Sequence, residues 1–463
     1  MDVEEFARRQ MEDGACSDEI VHKLSRHIQK IKGVSPAYAE SFARAVILEV
    51  ENTRDLAGDF FAFEHSDVKM GDFGVGSRGT GDFFAHREIA RIIGRTTASV
   101  GVDEMDDAGA VLLGTWGGPT NSTEKTGESS GRPDKGPYII CTVDGMHSRL
   151  SDFPFLAGFH VTRATLRDVY VMGAHPVMLF SDIHVADDGD VAKIFDYTAG
   201  ITTVGEVMGV PLVTGSTLRI GGDMVLGSRM TGCVGAVGIA RHLTARKETK
   251  PGDVILMTQG AGGGTIATAA LYSGFPEVVD ATINLNFLFA AEALLASSAL
   301  TRIHSMTDVT NGGLRGDVYE MAETAGCRIV IEEEKVTSLV QPDVAKMLLE
   351  LSIDYLGVSL DALLITAPRS AVPVITDVIQ GTGVTIREIG HVDEGKPGSV
   401  LVVDGREEDF TPRFREAAYT PLKKVVDLQR NDFEEMKVKV RRAADAAIEK
   451  KLRIIERIRP KSP

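Results

Sequence analysis

Only four cysteines occur in 463 residues, Cys16, Cys141, Cys233 and Cys327, and no two form a CxxC pair. That spacing excludes a disulfide framework and the usual zinc sites. Buried free thiols in a reducing compartment are the expectation. The N-terminus, Met-Asp-Val-Glu-Glu-Phe-Ala-Arg-Arg-Gln, has no apolar core of the secretory kind. No run approaches the ~20 apolar residues that span a bilayer. A soluble cytoplasmic protein is therefore expected. A basic excess is missing too. The net charge of −16 argues against a general partner such as nucleic acid or an anionic membrane, since both demand a basic face. A nucleotide remains compatible, because one local site with metal ions can overcome the global field. No lysine follows the glycine-rich stretches in the manner of a P-loop.

What is present is an ordinary globular composition, 43% hydrophobic and 25% charged, in a chain long enough for two or three domains. Residues 1–65 read as a helical extension. Val21, Leu24, Ile28 and Ile31 recur at helical spacing, Ser35-Pro36 marks a helix start, and Phe42, Val46 and Val50 follow. Residues 66–245 turn to short β-rich runs at 110–113, 138–143, 177–183, 211–214 and 232–239, with helical stretches at 155–172 and 191–208. The polar segment 121–137 reads as an exposed loop. A second unit, 246–410, opens at Lys250-Pro251-Gly252-Asp253 and has strands at 254–257, 327–331 and 362–366. Interleaved strands and helices give an α+β class with an α/β texture. Residues 411–463 form a helical extension with the stripe Phe433, Met436, Val440, Ala444, Ile448, Leu452 and Ile455. Its last 43 residues carry a net charge of +6, and the stripe is expected to pack on an acidic body or a partner subunit.

Two glycine-rich stretches compete for a role. In Gly74-Val75-Gly76-Ser77-Arg78-Gly79-Thr80-Gly81-Asp82 no buried strand precedes the GxGxxG, so the dinucleotide-binding context is absent. Four glycines with Ser77, Arg78 and Thr80 suit a flap closing over phosphates. In Gly260-Ala261-Gly262-Gly263-Gly264-Thr265 the pattern at Gly262, Gly264 and Ala267 follows an apolar run and precedes a helical one. Asp280 lies near the distance of a ribose ligand, which makes a dinucleotide-binding enzyme the alternative. Val278 and Val279 are a poor second strand for it.

Acidic residues recur at element ends. Asp106-Asp107 precede a strand, Asp144 closes one, and Asp168 sits in a long helical stretch among Phe159, Ala164, Leu166, Val169 and Met172. Each alone reads as a turn or helix-surface residue. Converging carboxylates repel unless a cation sits between them, and hard oxygen ligands beside a phosphate cradle describe a magnesium–nucleotide site. Asp308 and Thr310, ahead of the turn Asn311-Gly312-Gly313, supply oxygens that could reach the same cation from the second unit.

In this order the elements resemble the superfamily of aminoimidazole-ribonucleotide (AIR) synthetase, selenophosphate synthetase, thiamine-monophosphate kinase and the hydrogenase-maturation dehydratase. The resemblance spans residues 70–405 and includes Asp168-Val169-x-x-Met172-Gly173-Ala174-x-Pro176, the strand-end loop Thr214-Gly215-Ser216-Thr217, and Asp308-x-Thr310-x-Gly312-Gly313. It implies a two-domain AIR-synthase-like fold and a homodimer sharing its N-terminal sheet or barrel. ATP would contact Gly74, Gly76, Ser77, Arg78, Gly79, Thr80, Gly81, Gly215, Ser216, Thr217 and Asn311, with magnesium on Asp106, Asp107, Asp144, Asp168 and Asp308. The implied activity is Mg-ATP-dependent phosphoryl transfer or ligation on an unidentified group; the non-catalytic alternative is a nucleotide-binding regulator. Three features depart from the family. Ser216 stands where an acidic residue or histidine is usual, the loop at Arg78 has no cysteine, and the chain ends Arg459-Pro460-Lys461-Ser462-Pro463 without a carrier cysteine.

Overall fold

The structure, a computed structural model, describes residues 1–53, 58, 63–75, 79–113, 137–310, 312–414, 416, 418–426 and 432–458. The expected loop at 121–137 lies outside the described residues apart from Pro137. The chain opens with α1 (Val3–Glu12), α2 (Ser17–Lys32) and α3 (Pro36–Thr53). Their apolar stripes bury Val21, Leu24, Ile28, Ala43, Val46 and Val50 in a core of their own, whereas Ile31, in the last turn of α2, is exposed. Gly33 ends α2 in the left-handed conformation that a residue with a Cβ resists. Lys32 pairs with Asp187 and, at 2.9 Å, with Asp188, which ties this module to the first sheet. Two helices follow, α4 (Met70–Phe73) and α5 (Thr80–Ile93).

The first sheet contains β1 (Gly109–Leu112), β2 (Tyr138–Gly145), β3 (His175–Val185), β4 (Leu212–Arg219) and β5 (Met230–Ala240), in the order β1-β2-β5-β3-β4. Only β3 and β4 run parallel, because α7 (Ala192–Val207) carries the chain back between them. Thr214 to Thr217, expected in a strand-end loop, are inside β4. Their exposure had removed the apolar alternation that marks a strand. The helix α6 (Pro154–Val171) packs with α7 on one face of the sheet, over Ile140, Val234 and Ala236. The register sets Ile139 opposite Ile239, and both are exposed, as is Val143 four residues along.

The second sheet is built from β6 (Asp253–Thr258), β7 (Ser305–Val309), β8 (Arg328–Glu332), β9 (Ala362–Pro368), β10 (Ile386–Asp393), β11 (Gly398–Val403) and β12 (Arg406–Asp409). Its order is β12-β11-β8-β10-β6-β9-β7. The helices α8 (Gly264–Ser273), α9 (Val279–Thr282), α10 (Asn286–Leu295), α11 (Gly313–Ala325), α12 (Glu333–Thr337), α13 (Pro342–Glu350) and α14 (Val372–Gln380) accompany it. Burial along the full length of β6 explains its apolar run Val254 to Met257. This topology removes the dinucleotide alternative. Both neighbours of β6 are antiparallel to it, and Asp280 lies in α9 rather than at the end of a parallel strand.

Two further expectations are corrected. Among the cysteines only Cys327 is buried, while Cys16 and Cys141 are exposed on a helix cap and a sheet face. The stretch Pro276–Leu295 is long and apolar enough by composition to cross a membrane. Here half of it is buried, and α10 within it packs on α6 and α14. The tail ends in α15 (Pro421–Val426) and α16 (Phe433–Ile458). α16 lies along α5, with Arg91 at 2.6 Å from Asp445 and Arg441 at 3.0 Å from the buried Glu88. Met436 and Ala444 of its stripe are buried and Leu452 is exposed.

The two units are joined by buried charge. Arg163 and Arg167, one turn apart on α6, both ion-pair with Asp361 just ahead of β9. Arg163 also donates to the carbonyls of Thr282, Asn284 and Gly262 at 2.6, 2.7 and 2.8 Å. Burial alone would raise the Asp361 carboxyl pKa, but Arg167 and Arg163 hold it well below the usual carboxylate range. Removing one member of such a set strands the others without a partner. Asp361→Ala is expected to cost about 3 kcal/mol or more in urea unfolding, and a loss below about 1 kcal/mol would show the network to be dispensable.

Candidate functional site

A cavity of about 1060 Å³ is bounded by both sheet units and by the tail. Its wall includes all five aspartates singled out from the sequence, Asp106, Asp107, Asp144, Asp168 and Asp308. Four different elements position them. Asp106 and Asp107 lie in the turn before β1, Asp144 at the end of β2, Asp168 in the last turn of α6, and Asp308 within β7.

The structure divides this set. Asp106 accepts the backbone N–H groups of Arg246 and Asp107 at 2.9 and 3.0 Å. Asp107 takes the Arg246 guanidinium at 2.6 Å and the Thr307 hydroxyl at 2.6 Å. Arg246, fully buried, also reaches Glu320 at 2.8 Å and Asp317 at 3.5 Å. Asp308 is 3.1 Å from the Arg167 Nε. Asp168 receives a hydrogen bond from the Thr142 hydroxyl at 3.0 Å. Burial, with Asp144, Asp308 and Asp107 close by, pushes its pKa well up. Burial and Asp107 push Asp106 up to about 7.

Among the described residues no three His, Cys, Asp or Glu side chains already converge as a metal site. The donors nevertheless fit a hard divalent cation. Asp168 is a half-buried carboxylate with Asp144 and Asp308 near it on the cavity wall, and positive charge there would relieve the repulsion that helps raise its pKa.

The remaining sequence candidates fall elsewhere. Gly76, Ser77, Arg78 and Asn311 lie outside the described residues. Val75 lines the cavity, but Gly74, Gly79, Thr80 and Gly81 do not. A Cβ at Gly79 would collide with the Phe414 carbonyl, and one at Gly81 with the Phe73 carbonyl, so these glycines permit close backbone packing. Gly215, Ser216 and Thr217 are on the exposed edge strand β4, away from the cavity of this chain.

Several residues on or beside the wall escaped the sequence reading. Arg163 and Arg167 share α6 with Asp168, and their i, i+4 spacing on a helix with an apolar face was the available signal. Arg246 had none, since Asp107 and Glu320 are 139 and 74 residues away. His147 and Tyr419 were missed for the same reason. His147 Nε2 is 2.7 Å from the Tyr419 hydroxyl and its Nδ1 3.1 Å from the Thr268 hydroxyl. Burial, then Lys423 and Arg149, push the His147 pKa down to about 4.

A two-domain α+β protein with an acidic cavity between its domains is the class that fold and site define. Residues 105–240 match the AIR synthase related protein, N-terminal domain, and residues 250–403 match its C-terminal domain. The chain belongs to the AIR synthase-related family. An uncharacterized protein of Methanocaldococcus jannaschii is 47% identical to it over 98% of both chains. Selenide, water dikinase of Myxococcus xanthus is 28% identical over 43% of this chain, and the match spans 56% of that enzyme. The structure of hydrogenase maturation protein HypE in complex with ATP shares the fold, with a TM-score of 0.51 at 18% identity over 65% of this chain and 90% of that one.

The depressed His147 pKa has a testable consequence. From the ordinary value of 6.5 it falls to about 4 in the fold, so the unfolded chain binds this proton more readily. Its contribution to stability is present above pH 6.5 and is lost as pH falls toward 4. Urea unfolding of wild type and His147→Gln between pH 7 and 4 should show the wild type losing stability more steeply. Parallel losses would refute the assignment.

Proposed function

We propose that the protein is a cytoplasmic Mg-ATP-dependent enzyme of the phosphoryl-transfer or ligase type, activating a small-molecule or protein-bound group. The observation that carries this reading is the acidic wall, to which both sheet units contribute, with Asp168 raised well above the ordinary carboxylate range by burial and its neighbours. Membership of a family whose relatives include a dikinase, and whose fold is that of an ATP-bound protein, supports it.

Asp144 and Asp168 would be the leading magnesium ligands, with Asp106, Asp107 and Asp308 adding charge behind them. Bound magnesium would neutralise phosphate charge as it develops in transfer. Little covalent work then falls on the chain, whose task is to position reactants and complement charge. Arg167 and Arg246 hold the acidic wall in place between turnovers. The loop through Gly76, Ser77 and Arg78, adjoining the wall residue Val75, would cover the triphosphate, and Asn311 would flank it. The exposed apolar residues Ile139, Val143 and Ile239, with Val213 and Leu218 on β4, form the face through which two copies would pair. Gly215, Ser216 and Thr217 would then lie at that junction.

Titration calorimetry should show ATP binding with magnesium, much weaker binding in EDTA, and none with NAD. Asp144→Asn and Asp168→Asn should keep the fold and weaken ATP about tenfold or more, roughly 1.4 kcal/mol. Equal ATP affinity in EDTA, or normal affinity in both variants, would sink the metal assignment. Light scattering is expected to give twice the mass of one chain, and a monomer at micromolar concentration would count against the pairing face.

A further inference from the structure

We propose that the part of the cavity wall formed by Val75, Ile89, Val102 and Leu422 is a subsite for a hydrocarbon portion of the acceptor substrate. This rests on the reading of the aspartate wall as the nucleotide end.

The observation behind it is apolar surface left uncovered inside a cavity. Ile89, Val102 and Leu422 all line the cavity, yet they are 48%, 48% and 57% exposed. Val75 lines it as well and is half-buried. Single exposed aliphatic side chains are ordinary on a protein surface. Several from separate segments on one concave wall are the usual lining of a ligand pocket.

Packing of the tail does not account for them, because α5 turns two faces in two directions. Phe84, Glu88 and Arg91, at i, i+4 and i+7, meet α16 through Arg441 and Asp445. Phe83, His86 and Ile89, at i, i+3 and i+6, line the cavity instead. α5 also packs on the helical turn Val102–Glu104, and its Thr80 N–H donates to the Arg413 carbonyl of the tail at 3.1 Å. From that tail Leu422 and Val426, one turn apart on α15, complete this part of the wall.

The polar groups here favour a hydrocarbon over a nucleobase. A base edge carries donors and acceptors that are costly to leave unmet, and around Val102 the backbone is already engaged. The Gly101 N–H donates to the Glu104 carboxylate at 2.8 Å, and the Gly101 carbonyl accepts the Glu104 N–H at 3.2 Å. The Val102 carbonyl accepts the Met105 N–H at 3.3 Å, and the Met105 carbonyl accepts from Arg246 at 3.1 Å. His86 lies 3.7 Å from Asp82. A hydrocarbon needs no such partners and gains from leaving water.

Placement fits a second substrate. Val102 and Asp106 are four residues apart, so the apolar and acidic walls lie within about 14 Å along the chain. The five aspartates fall within residues 105–240 and 250–403, the spans matched to the family. Val75, Ile89, Val102 and Leu422 fall outside both, whereas the likeness to the Methanocaldococcus jannaschii protein covers 98% of both chains. The acidic wall thus serves the chemistry of the family, and the apolar wall the substrate of this branch.

The test is fluorescence titration of N-phenyl-1-naphthylamine, a neutral probe made largely of hydrocarbon, into the full chain saturated with Mg·AMPPCP. The probe should bind wild type, and bind about tenfold or more weaker to Val102→Asn and Leu422→Asn. Leu349→Asn, at a side chain 82% exposed and outside the cavity wall, should leave probe binding unchanged. AMPPCP affinity should change less than about twofold in all three variants. The subsite is overturned if the probe fails to bind wild type beside the nucleotide, if both wall variants bind it normally, or if Leu349→Asn weakens it as much. An equal loss of AMPPCP affinity in the wall variants also overturns it, since the wall would then hold the nucleobase. Should AMPPCP fail to bind wild type, the nucleotide reading fails by itself, and the same comparison on ligand-free protein judges the subsite. Unchanged thermal melts establish that the variants are folded.

Discussion

Everything in this molecule that bears on chemistry depends on opposite charges buried together at the seam between two sheets. α6 packs in a hydrophobic core that both units share, and it sends Arg163 and Arg167 across to Asp361 and Asp308 of the second. Arg246, in the connection between the sheets, does the same for Asp107, Asp317 and Glu320. Paired ions of this kind contribute little net stability but make other arrangements costly, because any shift leaves a charge without its partner. The seam thereby fixes where Asp144 and Asp168 face each other, and the cavity inherits its shape from it.

Much of this was legible in the sequence, for definite reasons. Runs such as 254–257 and 362–365 are apolar throughout because β6 and β9 are buried on both faces. The ordered motifs around Asp106, Asp144, Asp168 and Asp308 located the acidic wall before any contact was known. What stayed hidden depends on distance along the chain. The partners of Arg246 lie tens to more than a hundred residues away, and no local pattern announces such a pairing. β4 was cut short because its residues are exposed, so the alternation that marks a strand is absent.

The glycine-rich stretch shows a different limit. A glycine that lets a phosphate approach and a glycine that lets another backbone approach leave the same letter in a sequence. At Gly79 and Gly81 the neighbour is peptide: the Thr80 N–H donates to the Arg413 carbonyl at 3.1 Å, and Phe414 and Phe73 occupy the space a Cβ would need. Only geometry separates the two uses.

That contact also explains why the tail is more than an appendage. Residues near Arg413 hold the glycine stretch, Glu416 locks onto Arg315, Tyr419 reaches His147, and α16 clasps α5. One continuous segment thus joins the start of α5 to the cavity wall and to the second sheet unit. Phosphoryl transfer competes with hydrolysis unless water is kept from the reacting group. Under the proposed phosphoryl-transfer function, the C-terminal residues Tyr419, Leu422 and Lys423, which form part of the cavity wall, would help to keep water out.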